Sequence, residues 1–358
     1  MKIVTVVGAR PQFIKAAAMS RVLRKEHQEI LVHTGQHYDP NMSDVIFEEL
    51  GIPQPEYNLG ISGGSHAQMT GRMLIAIEEV LIKEKPDALL VYGDTNSTMA
   101  GALAAVKLQI PIIHVEAAAR LGSLANPEEV NRVVTDHLSS VLFACVPSAM
   151  EFARKEGLTR NLHLVGDPMY DAFLYYKGRK ALEEIQLKTL DGEFISVPKR
   201  FNYLTCHRQE NTQTDESLRA ILQAMEQLGL PVVYPVHPRN HVAAKRLKAE
   251  GDLKQVLFVE PVGYLESNTL VSNADRVVTD SGGVQREAFF ASKPCVTVFD
   301  YVAWPETMTG NCNQLAKPDT SDILEKCGVE PVFDDSYKPF GDGHACEKIC
   351  DILRTIQL

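Results

Sequence analysis

Short runs of apolar, largely β-branched residues alternate along the chain with longer segments whose apolar positions recur every three or four residues. KIVTVV, EILVHT, ALLVYG, PIIHVE and SVLFAC are each centred on a short apolar run, which predicts buried strands of a parallel sheet. PQFIKAAAMSRVLRKE, SHAQMTGRMLIAIEEVLIKE, STMAGALAAVKL and PEEVNRVVTDHL fall between them and predict helices. The same alternation returns in the second half. FNYLTC, PVVYPV, VLFVEP, RVVTDS and PCVTVF predict strands, separated by the helical DESLRAILQAMEQLG, HVAAKRLKAEG, GYLESNTLVSNA and GGVQREAFFAS. Two rounds of βα alternation imply an α/β protein of two doubly wound, Rossmann-like domains. The less regular stretch from Tyr175 to Arg200 is the expected linker, so the domains are expected at 1–175 and 176–358. The closing helix, HACEKICDILRTIQL, could pack on either.

A chain of 358 residues can build two ordinary cores. Its 45% hydrophobic and 23% charged residues fit a soluble globular protein. A net charge of −10 without any Lys/Arg tract argues against nucleic acid as a partner, because that needs a basic footprint. A phosphate-bearing small molecule needs only a few cations and backbone N–H groups, and stays open. No apolar run reaches membrane-spanning length, and MKIVTVVGARPQF is too short and too punctuated by Gly and Pro for a signal peptide. No membrane partner and a cytoplasmic location are expected. The seven cysteines lack any CxxC pairing, and Cys346 and Cys350 read as small core residues of a helix.

Doubly wound sheets bind ligands beyond the carboxyl ends of their strands, and the chemistry-bearing residues cluster there. The first strand ends in GARPQFIK, where Arg10 and Lys15 are either phosphate-holding cations at a helix N-terminus or solvated surface charges. GDTNST follows ALLVY; Asp94 is a helix-capping residue by default and a catalytic or hydroxyl-binding carboxylate as the alternative. Glu116 ends the next strand ten residues before a helix needs a cap, so capping does not account for it. In NPEEVNR, Asn126 caps, Pro127 suits the first turn, and Glu128 and Glu129 favour the helix dipole. That structural reading is stronger for Glu129 than for Glu128. In the second half CHRQEN places His207 and Arg208 past a strand, and VHPRN places His237 in the equivalent position. TDSGGVQREA offers Ser281, Gly282 and Gly283 at a helix start that suits a diphosphate, with Glu287 on the following turn suited to sugar hydroxyls.

Taken in order, GARPQFIK, HTGQHYD, GDTNST, HVEA, PEEVNR, TDH, GDPMYDA, CHRQEN, VHPRN, PVGYL and TDSGGVQREA resemble the non-hydrolysing UDP-N-acetylglucosamine 2-epimerase family over nearly the whole chain. The resemblance implies a glycosyltransferase-B-like arrangement of the two domains, with a UDP-sugar in the cleft between them. It also implies a homodimer, no nicotinamide and no metal. The implied reaction eliminates UDP across C1–C2 to give a 2-acetamidoglucal, then adds UDP back with the proton on the other face. Acid/base groups near C2 and a stabilised diphosphate are what that chemistry requires. By matching motif, Asp94, Glu116 and Glu128 are the implied catalytic carboxylates, with His207 assisting at the diphosphate. Arg10, Lys15, Arg132, Arg208, His237, Ser281, Gly282, Gly283 and Glu287 are the implied substrate contacts.

Two segments depart from the family. HVEAAARL stands where members usually read HVEAGLRS or HVEAGLRT, putting Ala118 in place of a glycine that would accommodate positive φ, and Leu121 in place of a hydroxyl. In CVTVFDYVAWPE, Phe299 replaces an arginine and Val302-Ala303 replaces Thr-Glu. Gln36-His37-Tyr38-Asp39 also differs from the pattern of members activated by a second UDP-GlcNAc, so such activation is not expected. The expected function is UDP-GlcNAc 2-epimerisation for surface-polysaccharide precursors. The rivals are the same chemistry on a related sugar such as UDP-2,3-diacetamido-glucuronate, and a catalytically weakened UDP-sugar-binding homologue.

Overall fold

The computed structural model describes residues 1–36, 46–212 and 214–358; the His37-Tyr38-Asp39 part of the HTGQHYD motif lies outside them. The chain divides into two compact units, Met1–Tyr175 with Lys338–Leu358, and Tyr176–Tyr337. No helix among the described residues is long and apolar enough to cross a membrane.

The first unit is built on a seven-stranded sheet of β1 (Lys2–Val7), β2 (Gln28–His33), β3 (Tyr57–Asn58), β4 (Ala88–Tyr92), β5 (Ile112–Val115), β6 (Val141–Ala144) and β7 (Leu162–Leu164). Its order is β3-β2-β1-β4-β5-β6-β7, and every pair is parallel. β1, β4, β5 and β6 are buried almost throughout, which is why they are largely apolar, with the buried Thr5 and His114 as interruptions in β1 and β5. On one face, Val4, Val6, Leu89 and Val91 pack with Met73, Ile77 and Leu81 of the helix His66–Glu84 and Ala100 and Ala104 of the helix Asn96–Lys107. The closing helix Ala345–Thr355 belongs to this unit. The buried Asp171 carboxylate accepts from the Ala345 and Cys346 amides at 3.1 and 2.7 Å, and Cys346 and Cys350 lie in the core.

The second unit holds a six-stranded parallel sheet of β10 (Asn202–Thr205), β11 (Val232–Pro235), β12 (Val256–Val259), β13 (Arg276–Thr279), β14 (Cys295–Val298) and β15 (Asn313–Ala316), in the order β12-β11-β10-β13-β14-β15. The fold class is therefore α/β, with two Rossmann-like parallel sheets. Part of the stretch read as linker is instead ordered structure. β8 (Gln186–Lys188) and β9 (Phe194–Ser196) form an antiparallel hairpin around Gly192, and Ile185, Leu187 and Leu190 are buried against the sheet. Strands β3, β7 and β15 carry no apolar run because they are short edge strands, covered only in part.

In both sheets the strand order reverses beside the first strand, between β1 and β4 and between β10 and β13. Such switch points open a crevice at the carboxyl ends of the two strands. The segments that begin there are Gly8-Ala9-Arg10, Gly93-Asp94, Cys206-His207-Arg208 and Asp280-Ser281-Gly282.

Candidate active site

At the first switch point the backbone packs so tightly that a Cβ on Gly8 would collide with the Ser97 and Thr34 side chains. The helix Arg10–Leu23 starts after Ala9, which has no side chain to cap it. Gln12 substitutes: its Oε1 accepts from the amides of Gly8 (2.8 Å) and Ala9 (3.1 Å), and its Nε2 donates to Tyr92 O and Thr98 Oγ1, each at 2.9 Å. One buried carboxamide thus joins the ends of β1 and β4.

Past β4, Thr95 rather than Asp94 caps the helix Asn96–Lys107, accepting from the Thr98 amide at 3.2 Å. The Asp94 carboxylate is free of that task and pairs with Arg132. Arg132 is buried, and its Nη1 donates to Glu129 at 2.6 Å. Past β5, Glu116 adopts φ +64, a left-handed conformation rare for a residue with a side chain. Its Oε2 lies 2.6 Å from Lys15 Nζ, with the two side chains only 9% and 3% exposed. Gly93 lies under this pair; a Cβ there would be 3.3 Å from Glu116 Oε1 and 3.6 Å from Lys15 Nζ, at φ +59.

The loop after Glu116 is strained again at Ala118, φ +64, whose amide donates to both oxygens of Asp136 at 3.1 Å. Further on, Glu129 accepts from the amides of Leu121 and Gly122 at 3.0 Å, so it ties the loop to the helix Pro127–Leu138. Asn126 caps that helix, accepting from the Glu128 amide at 2.9 Å. Glu116, Cys145 and Asp167, at the ends of β5, β6 and β7, each place one possible ligand atom within 4.8 Å of the others, and all three are buried. The ammonium of Lys15 already provides a cation at Glu116.

In the second unit the buried Asp280 organises the switch point. Its carboxylate accepts from the backbone N–H of His207 (2.8 and 3.1 Å) and of Arg208 (2.8 Å) and from Asn211 Nδ2 (3.3 Å), and lies 3.1 Å from His207 Nδ1. Burial pushes the carboxyl up, but His207 and the two amides outweigh it and hold Asp280 down at about 2. The His207 ring stacks on His237 with centroids 5.6 Å apart. Arg208 Nε donates to Asp280 O at 2.8 Å, and its guanidinium lies 4.3 Å from the centre of the buried Phe299 ring. Ser281 caps the helix Gly282–Phe290 by accepting from the Val284 amide, and the Gly282 and Gly283 amides, at the first two helical positions, make no hydrogen bond among the described residues. That is the geometry of an anion site. Glu287 is buried farther along, where after burial itself its charge helps hold the Tyr264 hydroxyl well above the usual range.

The family model for UDP-N-acetylglucosamine 2-epimerase matches residues 21–354. The chain belongs to that family. It is similar to a UDP-N-acetylglucosamine 2-epimerase homolog of Methanococcus maripaludis, 45% identical over 99% of this chain and 100% of that protein. It is 44% identical to the UDP-2,3-diacetamido-2,3-dideoxy-D-glucuronate 2-epimerase of Pseudomonas aeruginosa, over 99% of this chain and 100% of that protein. Among solved structures, the UDP-GlcNAc 2-epimerase of Methanocaldococcus jannaschii, crystallised with UDP-GlcNAc and UDP, superposes with a TM-score of 0.88 at 37% identity, covering 99% of each chain.

Within this epimerase-family chain, the structure groups Lys15 with Glu116 and Arg132 with Asp94, and in the second unit His207 with His237 and Arg208 with the Asp280–Ser281 turn. It does not bring Glu128 or Arg10 into these pairings. Glu128 is exposed on the first helical turn, and neither side chain makes a hydrogen bond or ion pair among the described residues. Glu129, read as a dipole residue, is the buried one. Gln12 and Asp136 are buried polar residues of the site that the motifs did not single out, and Asp280, which opens the TDSGG turn, turns out to organise it through its carboxylate. Gln12 left one usable signal, a glutamine three residues after a cap position that cannot cap.

Proposed function

We propose that the protein is a UDP-sugar 2-epimerase that converts UDP-GlcNAc to UDP-ManNAc by eliminating and re-adding UDP through a 2-acetamidoglucal. The observation that carries this reading is the pair of cation-held carboxylates at adjacent strand ends, Asp94 with Arg132 and Glu116 with Lys15, in a chain of this family. The C2 proton has no neighbouring carbonyl to acidify it, so its removal calls for a positioned base and a stabilised leaving group. In this reading Asp94, Glu116 and Glu128 handle the proton. His207 assists the diphosphate, which rests on the Ser281-Gly282-Gly283 amides with Arg10, Arg208 and His237 as further contacts, while Glu287 takes sugar hydroxyls. The same reading makes the protein a cytoplasmic homodimer serving surface-polysaccharide synthesis.

A second substrate, UDP-2,3-diacetamido-glucuronate, is favoured by the 44% identity to the Pseudomonas aeruginosa enzyme. It also suits the Phe299–Ala303 segment, where an aromatic face holding Arg208 reshapes the surroundings of the ligand. Incubating the protein in D2O with each sugar nucleotide and following C2 by NMR separates the readings. Deuterated epimer identifies the reaction and its sugar. Released sugar with free UDP indicates hydrolysis, and tight binding without exchange overturns the enzyme reading.

A further inference from the structure

Asp94 and Glu116 sit on two separate loops, each leaving its strand through a left-handed residue: Gly93 at φ +59 and Glu116 itself at +64, followed by Ala118 at +64. Glycine takes such backbone freely, but at Glu116 and Ala118 it persists only where the surroundings over-determine it. One fully buried pair touches both loops. His114 Nδ1 lies 2.7 Å from Asp136 Oδ1, and His114 Nε2 lies 2.7 Å from the carbonyl oxygen of Gly93, the residue before Asp94. Asp136 takes the Ala118 amide on both oxygens at 3.1 Å, two residues after Glu116. Arg120, the last charged residue of that loop, donates to Asp136 Oδ2 at 2.6 Å and is itself forked onto Glu156 at 2.7 Å. Both His114 nitrogens therefore face acceptors, so the ring bridges the two loops through its hydrogen-bond positions. Burial would push the Asp136 carboxyl up, but His114 and Arg120 hold it below its ordinary value.

We infer that Asp136 and His114 are positioning residues of the epimerase site: a buried, hydrogen-bonded pair that clamps the Gly93–Asp94 and Glu116–Ala118 loops in register with each other. The inference rests on the epimerase reading of Asp94 and Glu116. Elimination requires one carboxylate to accept the C2 proton as the C1–oxygen bond to UDP breaks. Re-addition requires a proton to return to the opposite face of the glycal before it escapes. Loosening the clamp disturbs the spacing of the two groups, so the second half-reaction loses efficiency relative to escape.

The test is Asp136→Asn, which keeps the shape but removes the charge, assayed with the sugar nucleotide that the wild type epimerises. We expect kcat for C2 exchange to fall about a hundredfold, the cost of an ångström-scale misplacement, with KM within about threefold. The ratio of released 2-acetamidoglucal to epimer should rise at least about fivefold, scaled to the same positional loss. That ratio does not depend on how much of the protein is folded, so a merely destabilising change would leave it at the wild-type value, and an unchanged ratio overturns the inference. His114→Gln, which can still reach one acceptor but not both, serves if Asp136→Asn does not fold, and must raise the same ratio. If the wild type exchanges no C2 proton with either sugar nucleotide, the epimerase reading falls first and this inference with it. If the wild type exchanges and the ratio is unmoved, only the clamp falls.

Discussion

Lys15 Nζ and Glu116 Oε2 lie 2.6 Å apart, between a helix that follows β1 and the end of β5, with both side chains almost wholly shielded from water. Breaking a buried ion pair by deleting one partner strands the other charge, at a cost of about 3–5 kcal/mol. Lys15→Met should therefore lower the urea-unfolding free energy of the first unit by that amount near neutral pH. A loss below about 1 kcal/mol would show that the pair is not closed in solution.

Ala118 occupies left-handed backbone and is fully buried. Glycine would relieve about 1–2 kcal/mol of strain there. It would also lose a buried methyl, about 0.8 kcal/mol, and add chain entropy to the unfolded state, about 0.4–1 kcal/mol. These terms cancel, so Ala118→Gly is expected to change stability by less than about 1 kcal/mol. Ala118→Val has no such compensation and should cost about 3 kcal/mol or more, through β-branched strain and overpacking. Urea denaturation of the two variants side by side checks the contrast; equal effects would contradict the assigned backbone.

Asp280 is held at about 2 in the folded protein against an ordinary 3.8. A carboxyl whose folded value is depressed stabilises the fold fully above its unfolded value, and loses that contribution as pH falls through the folded one. The second unit should therefore lose about 2 kcal/mol from this group between about pH 5 and pH 2. Trp304, the one tryptophan of the chain, lies in this unit and reports its unfolding by fluorescence. Asp280→Asn should flatten that acid limb; an unaltered slope would mean other carboxyls cause it.

Phe299 presents its ring to Arg208 at 4.3 Å. A cation–π contact of this kind contributes about 0.5–2 kcal/mol, so Phe299→Leu should weaken UDP binding about two- to thirtyfold by calorimetry. It should leave kcat largely unchanged, because the ring holds a proposed ligand contact rather than a reacting group. Unchanged affinity would separate Arg208 from nucleotide binding.

Much of the fold was legible because parallel strands buried on both faces are dominated by apolar residues, as β4 and β6 are along their whole length. The edge strands β3, β7 and β15 and the β8–β9 hairpin were not, since partial cover leaves no such run. The candidate residues were legible as positions at strand ends, where doubly wound topology gathers ligands.

What the sequence by itself determined was therefore the α/β alternation, the residue types at the strand ends, and the departure at Ala118, where a side chain meets left-handed backbone. Only the tertiary structure decided which charges pair. Lys15 meets Glu116, Arg132 meets Asp94, Asp136 reaches both His114 and Ala118, and Arg208 lies on Phe299. It also placed Glu129 inside and Glu128 in solvent, although the two are adjacent and chemically alike. The reason is physical: neighbouring positions on a helix point about 100° apart. Partners many residues distant meet only when crossover connections lay their strands side by side, so side-chain pairing is a property of the sheet order rather than of any local motif.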